Sequence, residues 1–213
     1  MTGKEPHCSA RNLLLKRLFD IVVSILLIGL LSPLALLIAF VIKIDSRGPV
    51  LFRQLRVGKN LQQFKILKFR TMYHVIEGYD GDRVGVVVGT IEESRIKYKT
   101  TELNDTRITK VGKYLRKSHI DELPQLFNVL LGSMSLVGPR PDAPAQEYDY
   151  KKKYWIARHG VKPGITGLSQ VHICRNSIER LARDIYYIEK SNMYIDFLIL
   201  IKTISKLFKF NSF

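Results

Sequence analysis

The chain has 213 residues, of which 46% are hydrophobic, 10% aromatic and 25% charged. This is the composition of a globular protein with one core, and it excludes a wholly disordered chain and a collagen-like repeat. Lysine and arginine number 34 against 19 aspartates and glutamates, a formal net charge of +15, which predicts an anionic partner: nucleic acid, an acidic membrane surface or a phosphorylated substrate.

The first predicted element is an apolar segment from Ile21 to Ile42, with no charged residue in 22 positions. A helix needs about 20 such residues to cross the hydrocarbon core of a bilayer. A secretory signal sequence fits less well, because the run is long for a signal core and no small-residue cleavage site follows it. The segment is therefore predicted to associate with a membrane.

Two features favour a membrane helix that enters the bilayer and returns to the same face. Basic residues flank both ends of the segment, with eight lysines and arginines between residues 43 and 70 alone, whereas a spanning helix has one less basic flank. Ser32 and Pro33 lie at its middle, where a proline removes a backbone hydrogen bond and predicts a helix break. A kinked spanning helix is the alternative.

Short elements are predicted next in the chain. GPVLFRQLRVG (48–58) and FKILKFRTM (64–72) contain short apolar, β-prone pieces cut by glycine and proline, which predict short strands or extended loops. Residues 74–105 are weakly patterned and predict a surface loop. TRITKVGKYLRK (106–117) is basic and partly helical in pattern.

IDELPQLFNVLLGSMS (120–135) predicts a helix. Ser118 or Asp121 can cap its start, and Pro124 suits the first turn, where the missing N–H does no harm. Apolar residues recur at helical spacing and predict the buried face: Leu123, Leu126, Phe127, Leu130 and Leu131.

The last segment, from Ile178 to about Phe210, has a helical pattern. Near its end, lysines share one face and apolar residues cover the other: Lys202, Lys206 and Lys209 against Ile201, Ile204, Leu207 and Phe208. This pattern is typical of a helix in a membrane interface, and a helix packed on its own domain explains it equally well.

Asp121 and Glu122 are adjacent carboxylates, which can act as a nucleophile toward phosphorus or as ligands for Mg²⁺. Alone, such a pair would more often cap a helix. Arg140 stands between two prolines, which hold its backbone for bidentate contact with a phosphate. Cations that converge on paired carboxylates are typical of phosphoryl transfer, and three further candidates for this role are Lys68, Arg70 and Arg116.

These motifs, in this order, resemble those of the bacterial sugar transferase family, the small monotopic phosphoglycosyl transferases. The resemblance covers nearly the whole chain. The segments that carry it are KRLFD (16–20), the apolar run with Ser32 and Pro33, GPVLFRQLRVG (48–58), FKILKFRTM (64–72), TRITKVGKYLRKS (106–118), IDELPQLFNVLLGSMSLVGPRP (120–141), VKPGITGLSQV (161–171) and DIYYIEKSNMYIDFLILIKTI (184–204).

The resemblance implies an α+β monotopic membrane protein with a re-entrant helix over residues 1–45. A small, mostly helical catalytic domain with amphipathic interfacial helices follows over 46–213, on the cytoplasmic face of the bacterial inner membrane. It implies transfer of a phospho-sugar from a UDP-sugar to polyprenol phosphate with release of UMP, which starts the assembly of a glycoconjugate. Downstream glycosyltransferases are possible partners, and nucleic acid is not expected.

The resemblance also implies roles for individual residues. Asp121 is the nucleophile, which forms a covalent phospho-sugar intermediate, and Glu122 supports the geometry of the metal or the phosphates. Mg²⁺ is required and lies near both carboxylates. Basic positions of the family's active site correspond to Lys68, Arg116 and Arg140.

Two segments depart from the family pattern. Residues 170–176 read QVHICRN where members often have QVNGRN, and residues 132–135 read GSMS where GDMS is common.

The alternative function is that of a membrane-anchored basic protein that binds anionic lipid or nucleic acid without catalysis. It explains the charge but not the carboxylates beside GPRP, and no nucleic-acid-binding module is recognisable. A direct-attack transferase of the multi-span type would need more apolar segments.

Overall fold

The structure, a computed structural model, describes residues 10–73 and 105–208, so the predicted loop over 74–105 lies almost wholly outside the described residues. Within the described ranges the chain is α+β and mostly helical with a few short strands, as predicted.

The apolar segment lies within one helix, α1, Ala10–Asp45. It is long and apolar enough to cross a membrane, and only 11% of its most apolar window is buried inside the protein, which a core helix of a soluble protein would not show. The predicted break does not interrupt the helix, which is helical on both sides of Pro33. The Ser32 hydroxyl donates a hydrogen bond of 2.8 Å to the Gly29 carbonyl, the acceptor that Pro33 cannot serve because it lacks an N–H.

Two strands follow as predicted. β1 (Leu51–Val57) and β2 (Gln63–Phe69) form an antiparallel hairpin in which Leu51 pairs with Phe69 and Val57 pairs with Gln63. Strand β2 turns Ile66 and Phe69 into the core, and it carries Lys68 directly opposite Phe52.

The next helices are shorter than predicted. α2 spans Lys110–Lys117 and begins at Thr109, whose side chain accepts from the Gly112 N–H. A 3₁₀ turn (Ile120–Glu122) follows, and α3 spans Gln125–Leu131. Neither predicted cap is correct, because Ser118 donates back to the Tyr114 and Leu115 carbonyls, and Asp121 lies in the 3₁₀ turn rather than at the start of α3.

The predicted buried face of α3 is partly wrong. Leu126 is buried, but Phe127 is 47% exposed and Leu131 is 79% exposed. Their places in the interior are taken by Asn128, whose side chain bonds to Leu67 N and Lys65 O of β2, and by Val129. Helical spacing marks an apolar stripe, but it cannot tell a core from another apolar environment.

A short parallel pair positions the GPRP segment. β3 (Ser135–Val137) pairs with β4 (Gly164–Thr166). Gly138 follows β3 where a Cβ would lie 2.5 Å from the Lys162 carbonyl oxygen, so a side chain there would push the two segments apart.

Four helices complete the fold: α4 (Lys152–Arg158), α5 (Leu168–Val171), α6 (Ser177–Lys190) and α7 (Met193–Phe208). The predicted C-terminal helix is thus two helices. α7 packs on its own domain through buried Ile199 and Asp196 and still exposes a row of apolar side chains. The proposed interfacial role of α7 stays a prediction, and the described side chains end before Leu207, Phe208 and Lys209.

Helix α1 packs along the rest of the chain from Lys16 to Ile42. Its residues before Pro33 join one apolar core: Phe19, Val23, Leu27 and Leu31. Its residues after Pro33 join a second one, with Phe69 and Leu115: Ala35, Ile38 and Ile42. Polar contacts secure the first half, because Lys16 bonds to Asp196 at 2.5 Å, Arg17 to the Val129 carbonyl and Asp20 to the Leu136 N–H.

Candidate active site

Asp121 and Glu122, the carboxylate dyad, lie in the 3₁₀ turn between α2 and α3. His119, two residues before Asp121, has a left-handed backbone with φ of 57°. This conformation is uncommon outside glycine and marks a sharp change in the direction of the chain. This bend takes the chain from the end of α2 to the dyad and then into Pro124 and α3.

The two carboxylates have different partners. Lys68 Nζ donates to Glu122 Oε1 at 2.6 Å, and Arg140 Nη2 approaches the same oxygen at 3.4 Å. Burial favours a higher pKa for Glu122, but the charges of Lys68 and Arg140 outweigh it and the pKa is lowered. Glu122 is therefore ionised at neutral pH and bound to two cations.

Asp121 is 8% exposed and its carboxylate has no hydrogen-bond partner among the described residues. Burial raises its pKa, and so does the neighbouring Glu122, while Lys68 and Arg116 act in the opposite direction. A desolvated carboxylate with raised pKa and free lone pairs is a stronger nucleophile than one held by hydrogen bonds.

Three of the four predicted phosphate-binding cations lie near the dyad. Lys68 and Arg140 contact Glu122 directly. Arg116 lies close enough to Asp121 for its charge to oppose the rise in the pKa of Asp121. Its Nε donates to the Thr71 hydroxyl at 2.8 Å, which fixes the direction of the guanidinium.

Arg70 occupies a different place from the one predicted. It is buried and donates to the carbonyls of Ile42, Ser46 and Arg47 at the end of α1. The last carbonyls of a helix have no partner within the helix, and a buried guanidinium satisfies several of them at once. Arg70 thus anchors α1 to β2 and does not join the dyad.

Arg140 belongs to a rigid segment, the PRPD loop, Pro139–Asp142. Strand β1 holds one end of it, because the Val57 N–H donates to the Asp142 carbonyl at 2.9 Å, and Gly164 N donates to the Pro139 carbonyl at 2.9 Å. The loop thus presents the half-exposed Arg140 side chain to Glu122 from a fixed backbone.

A buried ion cluster lies behind the PRPD loop, formed by Arg158, Asp142 and Asp184. Arg158 pairs with both carboxylates, with Nε 2.9 Å from Asp184 Oδ2, and its Nη2 donates to the Arg140 carbonyl at 3.0 Å. Sequence reasoning missed this cluster because its members are far apart in the chain.

A shallow groove, partly open to solvent, borders Glu122 of the dyad and includes Lys68 and Arg140 in its wall. Further wall residues that sequence reasoning missed are Arg56, Gln125 and Gln170. The sequence alone could have suggested Gln125, because it follows Glu122 by three residues, which is about one turn of helix.

The dyad fits Mg²⁺. The described residues hold no group of three or more metal-ligating side chains, but Mg²⁺ commonly binds one or two carboxylates and completes its shell with water and substrate phosphates. Asp121 and the second oxygen of Glu122 have no hydrogen-bond partner within the described ranges, so their lone pairs are available.

Comparison with known proteins agrees with the motifs. A family model described as "Bacterial sugar transferase" matches residues 11–210. A protein of Rhizobium leguminosarum named "Exopolysaccharide production protein PSS" is 38% identical over 205 residues, which are 91% of this chain and 94% of that protein.

Two longer relatives have more specific names. A Klebsiella pneumoniae protein, "UDP-glucose:undecaprenyl-phosphate glucose-1-phosphate transferase", is 40% identical over 92% of this chain. An Aeromonas hydrophila protein, "UDP-N-acetylgalactosamine-undecaprenyl-phosphate N-acetylgalactosaminephosphotransferase", is 39% identical over 89% of it. The chain spans 40% and 43% of the length of these two relatives.

Proposed function

Because the chain belongs to the bacterial sugar transferase family, we propose that it transfers a phospho-sugar from a UDP-sugar to a polyprenol phosphate, with undecaprenyl phosphate as the acceptor. The names of the relatives support this donor and acceptor and suggest glucose or N-acetylgalactosamine as the sugar. The reaction releases UMP and produces the first lipid-linked sugar of a polysaccharide.

The observation that carries the mechanism is the unequal pairing of the dyad. Lys68 and Arg140 bind Glu122, whereas Asp121 is desolvated and has no hydrogen-bond partner among the described residues. In our proposal an Asp121 oxygen attacks the β-phosphorus of the UDP-sugar. The new O–P bond forms as the bond from that phosphorus to the bridging oxygen breaks, and UMP leaves with the electron pair.

The second step regenerates the enzyme. A phosphate oxygen of the polyprenol phosphate attacks the phosphorus held by Asp121, and the aspartyl O–P bond breaks. The product is a polyprenol diphosphate sugar, and Asp121 returns as a carboxylate. Each step is a displacement at one phosphorus, so one set of cations serves both.

Cations must offset the repulsion between an anionic nucleophile and an anionic substrate. Lys68, Arg116 and Arg140 surround the dyad and are suited to contact the phosphate oxygens, with Arg140 presenting a planar fork. Mg²⁺ bound by the dyad would add charge neutralisation on the phosphates and on the leaving UMP.

We propose that both ends of α1 stay on the same side of the membrane because the helix lies along the domain, and not because it breaks at Pro33. Residues before and after Pro33 contact the same globular domain, and a helix that crossed the bilayer would carry its far end away from that domain. The opposite face of α1 exposes large apolar side chains throughout, Leu14 and Leu30 among them at 72% and 75%. A helix lying along the domain in this way presents its free face to lipid on one side of the membrane.

Cysteine accessibility tests that path. A cysteine at Leu13 in a Cys8→Ser, Cys174→Ser background should react with an impermeant thiol reagent only after the inner membrane is opened, as should a cysteine at exposed Lys113. Labelling of the Leu13 cysteine from the periplasm, with Lys113 protected, would mean that α1 spans the bilayer.

The activity itself is tested with purified protein, Mg²⁺ and a panel of UDP-sugars. We expect UMP release that is at most stoichiometric without acceptor and becomes catalytic when polyprenol phosphate is added. Mass spectrometry of the digested enzyme should find a phospho-sugar on the peptide that contains Asp121. Full turnover without such an adduct would favour direct attack by the lipid, and binding without turnover would favour the non-catalytic alternative.

A further inference from the structure

The groove beside the dyad contains polar groups that the proposed chemistry does not use. Gln125 is only 2% exposed, and its side-chain Nε2 has no hydrogen-bond partner within the described part of the chain. Gln170 donates through Nε2 to the Ile165 carbonyl at 3.1 Å, while its Oε1 is buried without a partner there. A buried amide group without a partner costs free energy, so both groups are expected to bind a ligand in the groove.

The groove is shallow and partly open to solvent. A ligand bound there keeps part of its surface exposed, so the position of the groove and the chemistry of its wall, rather than its volume, indicate what it binds.

The stereochemistry of the proposed displacement indicates which part of the UDP-sugar lies in the groove. In an in-line displacement the leaving UMP points away from the nucleophile, whereas the sugar is attached directly to the phosphorus under attack and lies beside the carboxylates. The groove borders Glu122, Lys68 and Arg140, the groups that the proposed function places around this phosphorus, so its position matches the sugar.

The chemistry of the wall agrees. Ile66, Pro141 and Ile165 provide aliphatic surface, and no aromatic side chain lines the groove in the described ranges. A uracil base would favour an aromatic stacking partner, whereas a saturated ring with hydroxyl groups is suited to aliphatic contacts with a few amide donors and acceptors.

We infer that this groove is the subsite for the donor sugar, and that Gln125 donates a hydrogen bond to one of the sugar's hydroxyl groups while Gln170 accepts one. This inference rests on the proposed function and adds to it the residues that select the sugar. Gln125 acts as a specificity-determining residue because its unpartnered amide is satisfied only by a sugar with a hydroxyl in the right position.

The test compares wild type with Gln125→Leu, which has a similar volume and leaves no amide unpaired. The matched control is Gln63→Leu, a glutamine on the exposed edge of β2. The donors are UDP-glucose, UDP-galactose and their N-acetylated forms, followed by monodeoxy analogues of whichever donor is preferred. Inhibition by UMP, which has no sugar, is measured in parallel.

We expect kcat/KM for the preferred donor to fall about tenfold in Gln125→Leu, with unchanged inhibition by UMP. One monodeoxy donor should give the same kcat/KM with both enzymes, because the hydroxyl that Gln125 binds is then absent. Gln63→Leu should match wild type, and Gln125→Asn, which keeps an amide one methylene further back, should lie in between.

Two results would overturn the subsite. One is a Gln125→Leu enzyme with unchanged donor preference and no monodeoxy donor that equalises the two enzymes. The other is a loss of UMP inhibition by the same factor as the loss of kcat/KM, which would assign the groove to the uridine. A wild-type protein that releases no UMP from any donor would instead overturn the proposed function, and the subsite with it.

Discussion

Two ion clusters lie on opposite sides of the PRPD loop, and they are built in opposite ways. Behind the loop, Arg158, Asp142 and Asp184 are 2%, 5% and 1% exposed, and each charge has a partner of opposite sign. In front of it, Arg140 is half exposed. Of the two dyad carboxylates, Glu122 is paired, whereas Asp121 has no hydrogen-bond partner among the described residues.

The contrast is between a fully paired structural cluster and the cluster to which the proposed function assigns the reaction, with the same residue types in both. Complete pairing makes buried charges tolerable and holds the loop in place. Burial desolvates Asp121, and the lack of a hydrogen-bond partner among the described residues leaves its lone pairs available, an arrangement that costs stability and is common at functional sites. Four predictions test this division.

Asp121→Asn should abolish the reaction while the protein stays folded. The amide keeps the shape but removes the nucleophile, so turnover should fall by at least about 10³-fold. UMP release and the Asp121-peptide adduct are the readouts. Glu189→Gln, an exposed position on α6, is the control and should retain activity; wild-type turnover in Asp121→Asn would exclude the covalent route.

Arg158→Leu should have the opposite profile and destabilise the fold. It leaves Asp142 and Asp184 buried without their cation, and breaking a buried pair typically costs about 3–5 kcal/mol. Chemical denaturation in detergent measures the loss. Arg183→Leu, which breaks the surface pair with Glu179, should change the midpoint little; similar midpoints for both variants would contradict the assignment of Arg158.

Arg140→Lys should lower activity without lowering stability. Lysine keeps the charge but lacks the planar fork that binds two phosphate oxygens, so we expect a loss of more than about tenfold, or 1.4 kcal/mol in transition-state binding. The control is Arg53→Lys on the exposed side of β1. If Arg140→Lys turned over like wild type, Arg140 would have only a structural role.

The two carboxylates of the dyad should affect stability with opposite signs. The pKa of Asp121 is raised above its ordinary 3.8, so its folded form binds protons more tightly, and stability falls as the pH rises from about 3.8 through the raised value. Asp121→Asn should therefore be more stable than wild type at pH 7, and this gain should disappear below that window.

Glu122 should behave in the reverse way. Its pKa is lowered from 4.5, so it contributes stability that is complete above pH 4.5 and is lost as the pH falls through the lowered pKa. Glu122→Gln should be less stable than wild type at pH 7. Denaturation midpoints at pH 7 and pH 3 measure both effects, and a common sign at pH 7 would contradict the unequal pairing.

Much of the fold was predictable because the signals are local. The uncharged run predicted the apolar helix, the β-prone pieces predicted β1 and β2, and the DELPQL and GPRP motifs identified the dyad and Arg140. These inferences depend on residue type and on spacing within a few turns of chain, which the sequence contains in full.

The predictions that failed are those in which the outcome depends on the surroundings of a residue and not on its type. Pro33 predicted a break, but the Ser32 hydroxyl satisfies the Gly29 carbonyl and α1 stays helical on both sides. Phe127 and Leu131 fit the periodicity of a buried face and are exposed, since the pattern records only that a surface is apolar.

The sequence alone contains the family motifs, the order of the elements and the residue types that the proposed chemistry needs. Which charged residues meet depends on the tertiary structure. Lys68 contacts Glu122, which is 54 positions away in the chain, and Arg158 contacts Asp184, which is 26 positions away. Arg70 instead donates to a carbonyl at the end of α1. The physical reason is that the state of a charge depends on burial and on its partners, and both are set by segments that are distant in sequence and adjacent only after folding.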